Sequence, residues 1–168
     1  LDAFREGLCV VQDESSQLVT DLVDPQPGDI VLDLCAAPGG KTTHMAERMQ
    51  DQGRVVACDI AKAGLGRIRE NAERLRLTCI EPRLHNGRHQ LEEFRGAADR
   101  VLVDAPCSAL GILRRHADAR WGKEEDAIPA LAHEQLRLLD AAAGHVKPGG
   151  VLVYGVCTDT PAETSGTL

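Results

Sequence analysis

The stretch Leu32–His44, LDLCAAPGGKTTH, decides how this chain is read. An apolar run from Ile30 to Leu34 meets a turn of small residues, and a helix starts at about Lys41. A Walker-type phosphate loop needs a glycine five positions before its Gly-Lys-Thr, and that position is Cys35. A dinucleotide fingerprint needs Gly-x-Gly-x-x-Gly, which Ala36-Ala37-Pro38-Gly39-Gly40 does not supply. The turn therefore suits a different ligand. Ala36, Gly39 and Gly40 lack bulk, so a ligand can approach the backbone, and the helix start offers free N–H groups to a carboxylate or phosphate. The plain alternative is a tight turn.

Outward from this stretch the chain alternates apolar runs and helical patterns. Asp13-Glu14-Ser15-Ser16 caps a helix carrying Leu18, Val19, Leu22 and Val23, which Pro25-Gln26-Pro27-Gly28 ends. Val55 to Asp59 is a second strand, followed by a helix through Leu65, Ile68, Ala72 and Leu75. A third strand is expected near Cys79–Leu84, a short helix over His89–Phe94, and a fourth strand over Arg100–Val103. After a polar, irregular segment, Ile128–Val146 reads as a long helix. Lys147-Pro148-Gly149-Gly150 turns into a fifth strand, Val151–Val156. The strands are continuous apolar runs, as for strands buried on both faces. The fold class is α/β, a doubly wound, mostly parallel sheet. Residues 1–28 form a lead-in with one helix and 29–168 the core. Ligands in such sheets bind at the carboxyl ends of the strands. Leu34-Cys35, Asp59, Asn86, Asp104 and Cys157 lie there, and all are expected to face one crevice.

The chain has 168 residues, the size of one domain, and a net charge of −7. It lacks the general basic character of a non-specific nucleic-acid binder, so any polyanion needs a local basic patch. No apolar run approaches the roughly 18 residues needed to span a bilayer, which points to a soluble, cytoplasmic protein without a membrane partner. The six cysteines, Cys9, Cys35, Cys58, Cys79, Cys107 and Cys157, show no C-x-x-C pairing. Each taken singly is a small buried hydrophobe. His85, His89, His133 and His145 have no metal-ligand spacing and read as surface or capping residues; no metal is expected.

Asp59 ends the second strand where such folds accept hydrogen bonds from ribose hydroxyls, although a strand-end Asp is also a common cap. Asp104-Ala105-Pro106-Cys107-Ser108 follows the fourth strand, and Cys157 follows its expected neighbour, the fifth. Two thiols and a carboxylate in one crevice suit thiolate addition to an electron-poor ring, with the carboxyl group at the ring nitrogen. With an ordinary pKa near 8.5, only about 3% of a thiol is ionised at pH 7, so the site must favour the thiolate or take up its proton. Arg114, Arg115 and Arg120, with Trp121 beside them, form the densest basic and aromatic cluster. They could hold phosphates, or form a solvated loop.

VQDESSQL, LDLCAAPGGKTTH, VDAPCSALGILRRH-x-D-x-R-W and KPGGVLVYGVCT together resemble the RNA cytosine-5 methyltransferases, above all the bacterial small-subunit ribosomal RNA enzymes of the Sun (RsmB) type. The resemblance covers essentially the whole chain. It implies a class I, Rossmann-like fold dependent on S-adenosylmethionine, and methylation of C5 of a cytosine in RNA, 16S ribosomal RNA first. By motif, Cys35, Ala36, Ala37, Pro38, Gly39, Gly40 and Lys41 wrap the methionine part of the cofactor and Asp59 holds its ribose. Asn86 stands near the adenine, where the family usually has Asp. Asp104 lies between cofactor and base, on the cytosine N3/N4 edge. Cys157 matches the nucleophile that adds to cytosine C6, and Cys107 the group that assists release of the product.

Besides Asn86, the chain departs from the family's motifs in two places. Gly155-Val156-Cys157-Thr158 replaces Ala-Thr-Cys-Ser around the nucleophile, and Pro161-Ala162-Glu163-Thr164 replaces Pro-x-Glu-Asn. The expected architecture is a core truncated after its fifth strand, without the final antiparallel pair or the separate amino-terminal RNA-binding domain. Two alternatives stay open: a cofactor-binding module without turnover, and a transfer-RNA cytosine-5 methyltransferase.

Overall fold

The computed structural model describes residues 1–115, 121 and 126–167. A short α1 (Asp2–Arg5) leads to α2 (Glu14–Val23). There follow β1 (Ile30–Asp33), α3 (Gly40–Arg48), β2 (Arg54–Asp59), α4 (Lys62–Leu75), β3 (Ile80–Leu84), β4 (Ala98–Asp104), α5 (Ala127–Ala143) and β5 (Val146–Gly155). Among the described residues, single 3₁₀ turns lie at Glu92–Phe94, Leu110–Ile112 and Pro161–Glu163. The five strands form one parallel sheet in the order β3-β2-β1-β4-β5. The order reverses between β1 and β4, so a crevice opens at their carboxyl ends.

The strand residues alternate between two buried layers. Val31, Val55, Ala57 and Leu102 face Met45, Met49, Ile68 and Ala72 of α3 and α4 and the turn between α3 and β2; Leu32, Val56, Val101 and Val103 face Phe94, Leu138 and Ala142. Both faces are covered, which is why these runs show no polar alternation. Each such fully buried aliphatic side chain contributes about 1.5–3 kcal/mol relative to exposure.

Helix α2 starts where the sequence predicts: the Asp13 side chain accepts from the Ser15 N–H at 2.9 Å. It ends at Val23 because Asp24 turns left-handed, at φ 46°, ahead of Pro25. Three sequence expectations are corrected. The fifth strand begins at Val146, not Val151, because Val146 already pairs with Ala98; Lys147–Gly150 lies in a register irregularity before pairing resumes between Arg100 and Val151. The helix expected over His89–Phe94 is a single 3₁₀ turn. His145 is fully buried, its Nε2 accepting from the Leu91 N–H at 2.8 Å, so it is a core residue.

Of the cysteines, Cys58 and Cys79 are core residues as expected, while Cys9 and Cys157 are exposed and Cys35 and Cys107 half-buried. Among the described residues no group of acids, histidines and cysteines could hold a metal, and no helix is long and apolar enough to cross a membrane.

Candidate active site at the strand ends

The loop after β1 is held open by glycine. Gly39 has φ +104°, and a Cβ there would lie 3.1 Å from Ile68 Cγ1. At Gly64 a Cβ would come within 2.7 Å of the Ala37 Cβ, so α4 packs directly against the loop. Asp59 joins the same pieces. Its Oδ2 accepts from the Ala37 N–H at 3.0 Å and its Oδ1 from the Ala61 N–H at 2.8 Å, so it caps the entry to α4. Both readings of Asp59 are compatible, because each carboxylate oxygen has a second lone pair for a ligand hydroxyl. The exposed Asn86 uses its Oδ1 to accept from the Arg88 N–H at 3.0 Å.

A crevice of about 370 Å³ lies over the strand ends, lined among others by Leu34, Cys35, Ala37, Asp59, Asn86 and Asp104. That is the size range of small-molecule sites. A neighbouring hollow of about 200 Å³ is lined by Gln12, Asp33, Ala36, Pro38, Gly40 and Lys41, and also by Asp104. Cys157 lies on a third hollow of about 280 Å³, shared with Lys41 and again Asp104. The single crevice expected from the sequence is thus a main crevice with side hollows, and Asp104 is common to all three. Lys41 Nζ donates to Asp104 Oδ2 at 2.6 Å, linking the first loop to the end of β4.

Beneath this pair lies Asp33, a carboxyl group only 1% exposed. Burial raises its pKa to about 7; a hydrogen bond from Thr42 Oγ1 at 2.6 Å and the charge of Lys41 oppose the rise, and the charge of Asp104 adds to it. Its Oδ1 is buried without a partner.

The two thiols meet. Cys107 Sγ and Cys157 Sγ are 3.1 Å apart. The Cys157 S–H donating to Cys107 is the chief cause that brings the Cys107 pKa down to about 6; burial opposes, and the Cys157 backbone N–H helps at 3.3 Å. Cys157 is raised in turn, because its proton is held by the neighbouring sulfur. The pair titrates as a unit, and the two opposite shifts favour Cys107 over Cys157 as the sulfur that carries the charge when the pair ionises. Cys35 is pushed up to about 12, chiefly by burial, and is a neutral thiol. Arg115 is ion-paired with Asp13, Arg114 is exposed nearby, and Trp121 is 79% exposed. Arg120 lies outside the described residues.

Sequence reasoning missed three parts of the site. Asp33 sits inside the apolar run Ile30–Leu34, where a lone carboxyl group is itself a signal. The ion pair of Lys41 with Asp104 had no local signal. Glu163 belongs to a polar tail motif in the sequence, yet it is fully buried and accepts from Ser108, Gln135 and Thr160.

Residues 20–168 match the family described as 16S rRNA methyltransferase RsmB/F. The chain is 47% identical to ribosomal RNA small subunit methyltransferase B of Vibrio cholerae, covering 97% of this chain and 37% of that protein. It is 45% identical to the enzyme of that name from Serratia proteamaculans, covering 98% and 38%. The chain therefore spans under two-fifths of these relatives' length. Among solved structures, PH0851 superposes with a TM-score of 0.96 at 38% identity, over 99% of this chain and 38% of that one. NSun6 from Pyrococcus horikoshii, crystallised with SFG, gives 0.87 at 33%, over 99% and 42%. Match, sheet order and strand-end site agree, and the chain belongs to the 16S rRNA methyltransferase RsmB/F family.

Proposed function

We propose that this chain is the catalytic core of an S-adenosylmethionine-dependent RNA methyltransferase that modifies C5 of a cytosine, in 16S ribosomal RNA, through a covalent cysteine adduct. Such a substrate makes it a cytoplasmic enzyme. The observation that carries the reading is the contact of Cys107 and Cys157 beside Asp104. One buried thiol would be packing; two in contact, sharing a proton beside a carboxylate at the strand ends, have a chemical use.

The residues fit the cofactor. The main crevice has the volume of a small-molecule site, Asp59 retains acceptor capacity for ribose hydroxyls, and Asn86 can pair with the base through its amide. Asp33, with its unpartnered Oδ1, and Asp104 suit an ammonium group, while the start of α3 at Gly40 and Lys41 suits a carboxylate. Bound there, the cofactor supplies an electrophilic methyl group. Asp104 then accepts from the exocyclic amino group of cytosine and holds the ring. Cys157 attacks C6 as its proton crosses the 3.1 Å contact to Cys107, which converts the resting charge into a nucleophile at the attacking sulfur. Once Cys107 has released that proton to solvent, its thiolate assists removal of the C5 proton, so that the bond from Cys157 to C6 breaks and the product leaves. Arg114 and Arg120 hold RNA phosphates.

The test is transfer of a labelled methyl group to 16S ribosomal RNA, run on the chain alone and on a version extended to its relatives' length. The expected product is 5-methylcytosine. Cys157→Ser abolishes it, and Cys107→Ala accumulates a denaturation-resistant protein–RNA adduct. An extended protein that binds S-adenosylmethionine but methylates no cytosine refutes the reading.

A further inference from the structure

The segment after β5 folds back as a 3₁₀ turn and delivers Glu163 into the core between β4, β5 and α5. Glu163 is 0% exposed, and among the described residues no cation pairs with it. Four hydrogen bonds hold it instead. Oε1 accepts from the Ser108 N–H at 2.9 Å and from Gln135 Nε2 at 3.0 Å; Oε2 accepts from Ser108 Oγ at 2.5 Å and from Thr160 Oγ1 at 2.8 Å.

These donors are not scattered. Ser108 follows Cys107, and Thr158, which follows Cys157, lies 2.8 Å from Ser108 Oγ. Because the carboxylate can only accept, Ser108 must give its proton to Glu163, and Thr158 must then donate to Ser108. The direction of the chain is fixed from Thr158 through Ser108 to Glu163. The same hub reaches the backbone on both sides: Gln135 Nε2 donates to the Pro106 carbonyl at 2.9 Å, and Tyr154 Oη to the Glu163 carbonyl at 2.9 Å. The segments on either side of Cys107 and Cys157 are thus tied to this one residue.

We infer that Glu163 is the positioning residue of the thiol pair, clamping the loop of Cys107 to the segment of Cys157 so that the two sulfurs stay in contact. The inference rests on the proposed function for its purpose, but its geometry and test do not. The charge itself is not the useful property, since a carboxylate near Cys107 opposes a thiolate there. An amide at 163 can keep the network: it accepts at its oxygen from Ser108 N–H and Gln135, and its two N–H groups donate to Ser108 Oγ and Thr160 Oγ1 once both hydroxyls reverse.

The experiment measures the contact through thiol–disulfide exchange in glutathione buffers, with neither RNA nor S-adenosylmethionine present. The Cys107 thiolate attacks glutathione disulfide and expels one glutathione thiolate. Cys157, losing its proton to solvent, attacks the Cys107 sulfur and expels the second, so the pair is oxidised by two electrons and glutathione disulfide is reduced to two thiols. The fraction of linked Cys107–Cys157, read by peptide mass, gives the effective concentration of one thiol at the other. Glu163→Ala is expected to lower it by about tenfold or more, and Glu163→Gln to keep it within about threefold of the parent. Protection of the buried Cys58 from alkylation reports that each variant is folded. Should Glu163→Ala fail that control, Ser108→Ala takes its place: it cuts the link to Thr158 while leaving the backbone N–H on Glu163, and is expected to lower the value by about threefold or more. An unchanged effective concentration in the folded Ala variant, or in Ser108→Ala when it stands in, overturns the inference. So does a Gln variant as impaired as Ala. Loss of methyl transfer in the parent leaves this measurement intact, so the two readings fail separately.

Discussion

The ionisation of the thiol pair gives a sharp quantitative prediction, because its chief cause is one removable proton. The Cys107 pKa stands at about 6, mainly through the hydrogen bond from the Cys157 S–H. At pH 7 about 90% of a group with that pKa is ionised, against about 3% of an ordinary thiol. Replacing Cys157 with Ala removes the donor and leaves only backbone N–H groups against an opposing burial, so the Cys107 midpoint moves up towards the ordinary range near 8.5. Replacing it with Ser keeps an O–H donor and keeps the midpoint low. The assay is alkylation of Cys107 by iodoacetamide across pH, read at the peptide level. The midpoint, not the rate at one pH, is decisive. A thiolate whose pKa rises by about 2.5 also becomes intrinsically more nucleophilic, by roughly tenfold, which offsets much of the roughly 30-fold loss of thiolate at pH 7. A midpoint that stays near 6 in Cys157→Ala would refute the reasoning and assign the stabilisation to the backbone.

Three further outcomes are expected. Asp33 holds its proton more tightly folded, at about 7, than unfolded, near 3.8, so its contribution to stability is complete below about pH 4 and is lost as pH rises through 7. Urea unfolding of Asp33→Asn should therefore show an advantage over the parent that grows between those values, with a ceiling of about 4 kcal/mol, and flattens above; a difference independent of pH counts against a buried neutral Asp33. Asp59→Ala should weaken S-adenosylmethionine binding about 10- to 150-fold by calorimetry, whereas an unchanged affinity would leave Asp59 as a cap alone. Arg114→Ala should lower the slope of RNA affinity against salt by about 0.7–0.9 in logarithmic units, while Arg115→Ala, whose charge Asp13 already engages, should lower it less; equal effects would mean that RNA displaces Asp13.

What could be read from the sequence followed from rules that hold locally or for the whole sheet. Apolar runs between helical patterns gave five parallel strands, and the carboxyl-end rule then selected Cys35, Asp59, Asn86 and Asp104, which line one crevice. Asp13 as a cap is a local signal and is found as a cap. The early start of β5 was hidden because Lys147-Pro148-Gly149-Gly150 carries every mark of a turn, and only an irregular register with β4 keeps it in the sheet. Glu163 was hidden for a different reason. A charged residue in a polar tail reads as solvated, and the donors that make its burial tolerable come from Ser108 and Gln135, far away in the chain.

The same distance explains why the site depends on one strand pairing more than on any motif. Lys41 with Asp104, Cys107 with Cys157 and Ser108 with Glu163 are each separated by 50 or more positions, and all join segments that β1, β4 and β5 bring side by side. Asp104 pairs with Gly155 in the β4–β5 register. Cys107 lies three residues beyond the first and Cys157 two beyond the second, so the contact of the sulfurs is set by that register and by the clamp that follows it. A slip of one residue in β5 would reverse the faces of Leu152 and Val153 and carry Cys157 about 3.3 Å along the strand axis, roughly the length of the contact itself. Burial of Val153 and Leu152 against opposite layers resists that slip. Core packing on β5 is thus part of what keeps the two thiols within reach of one proton.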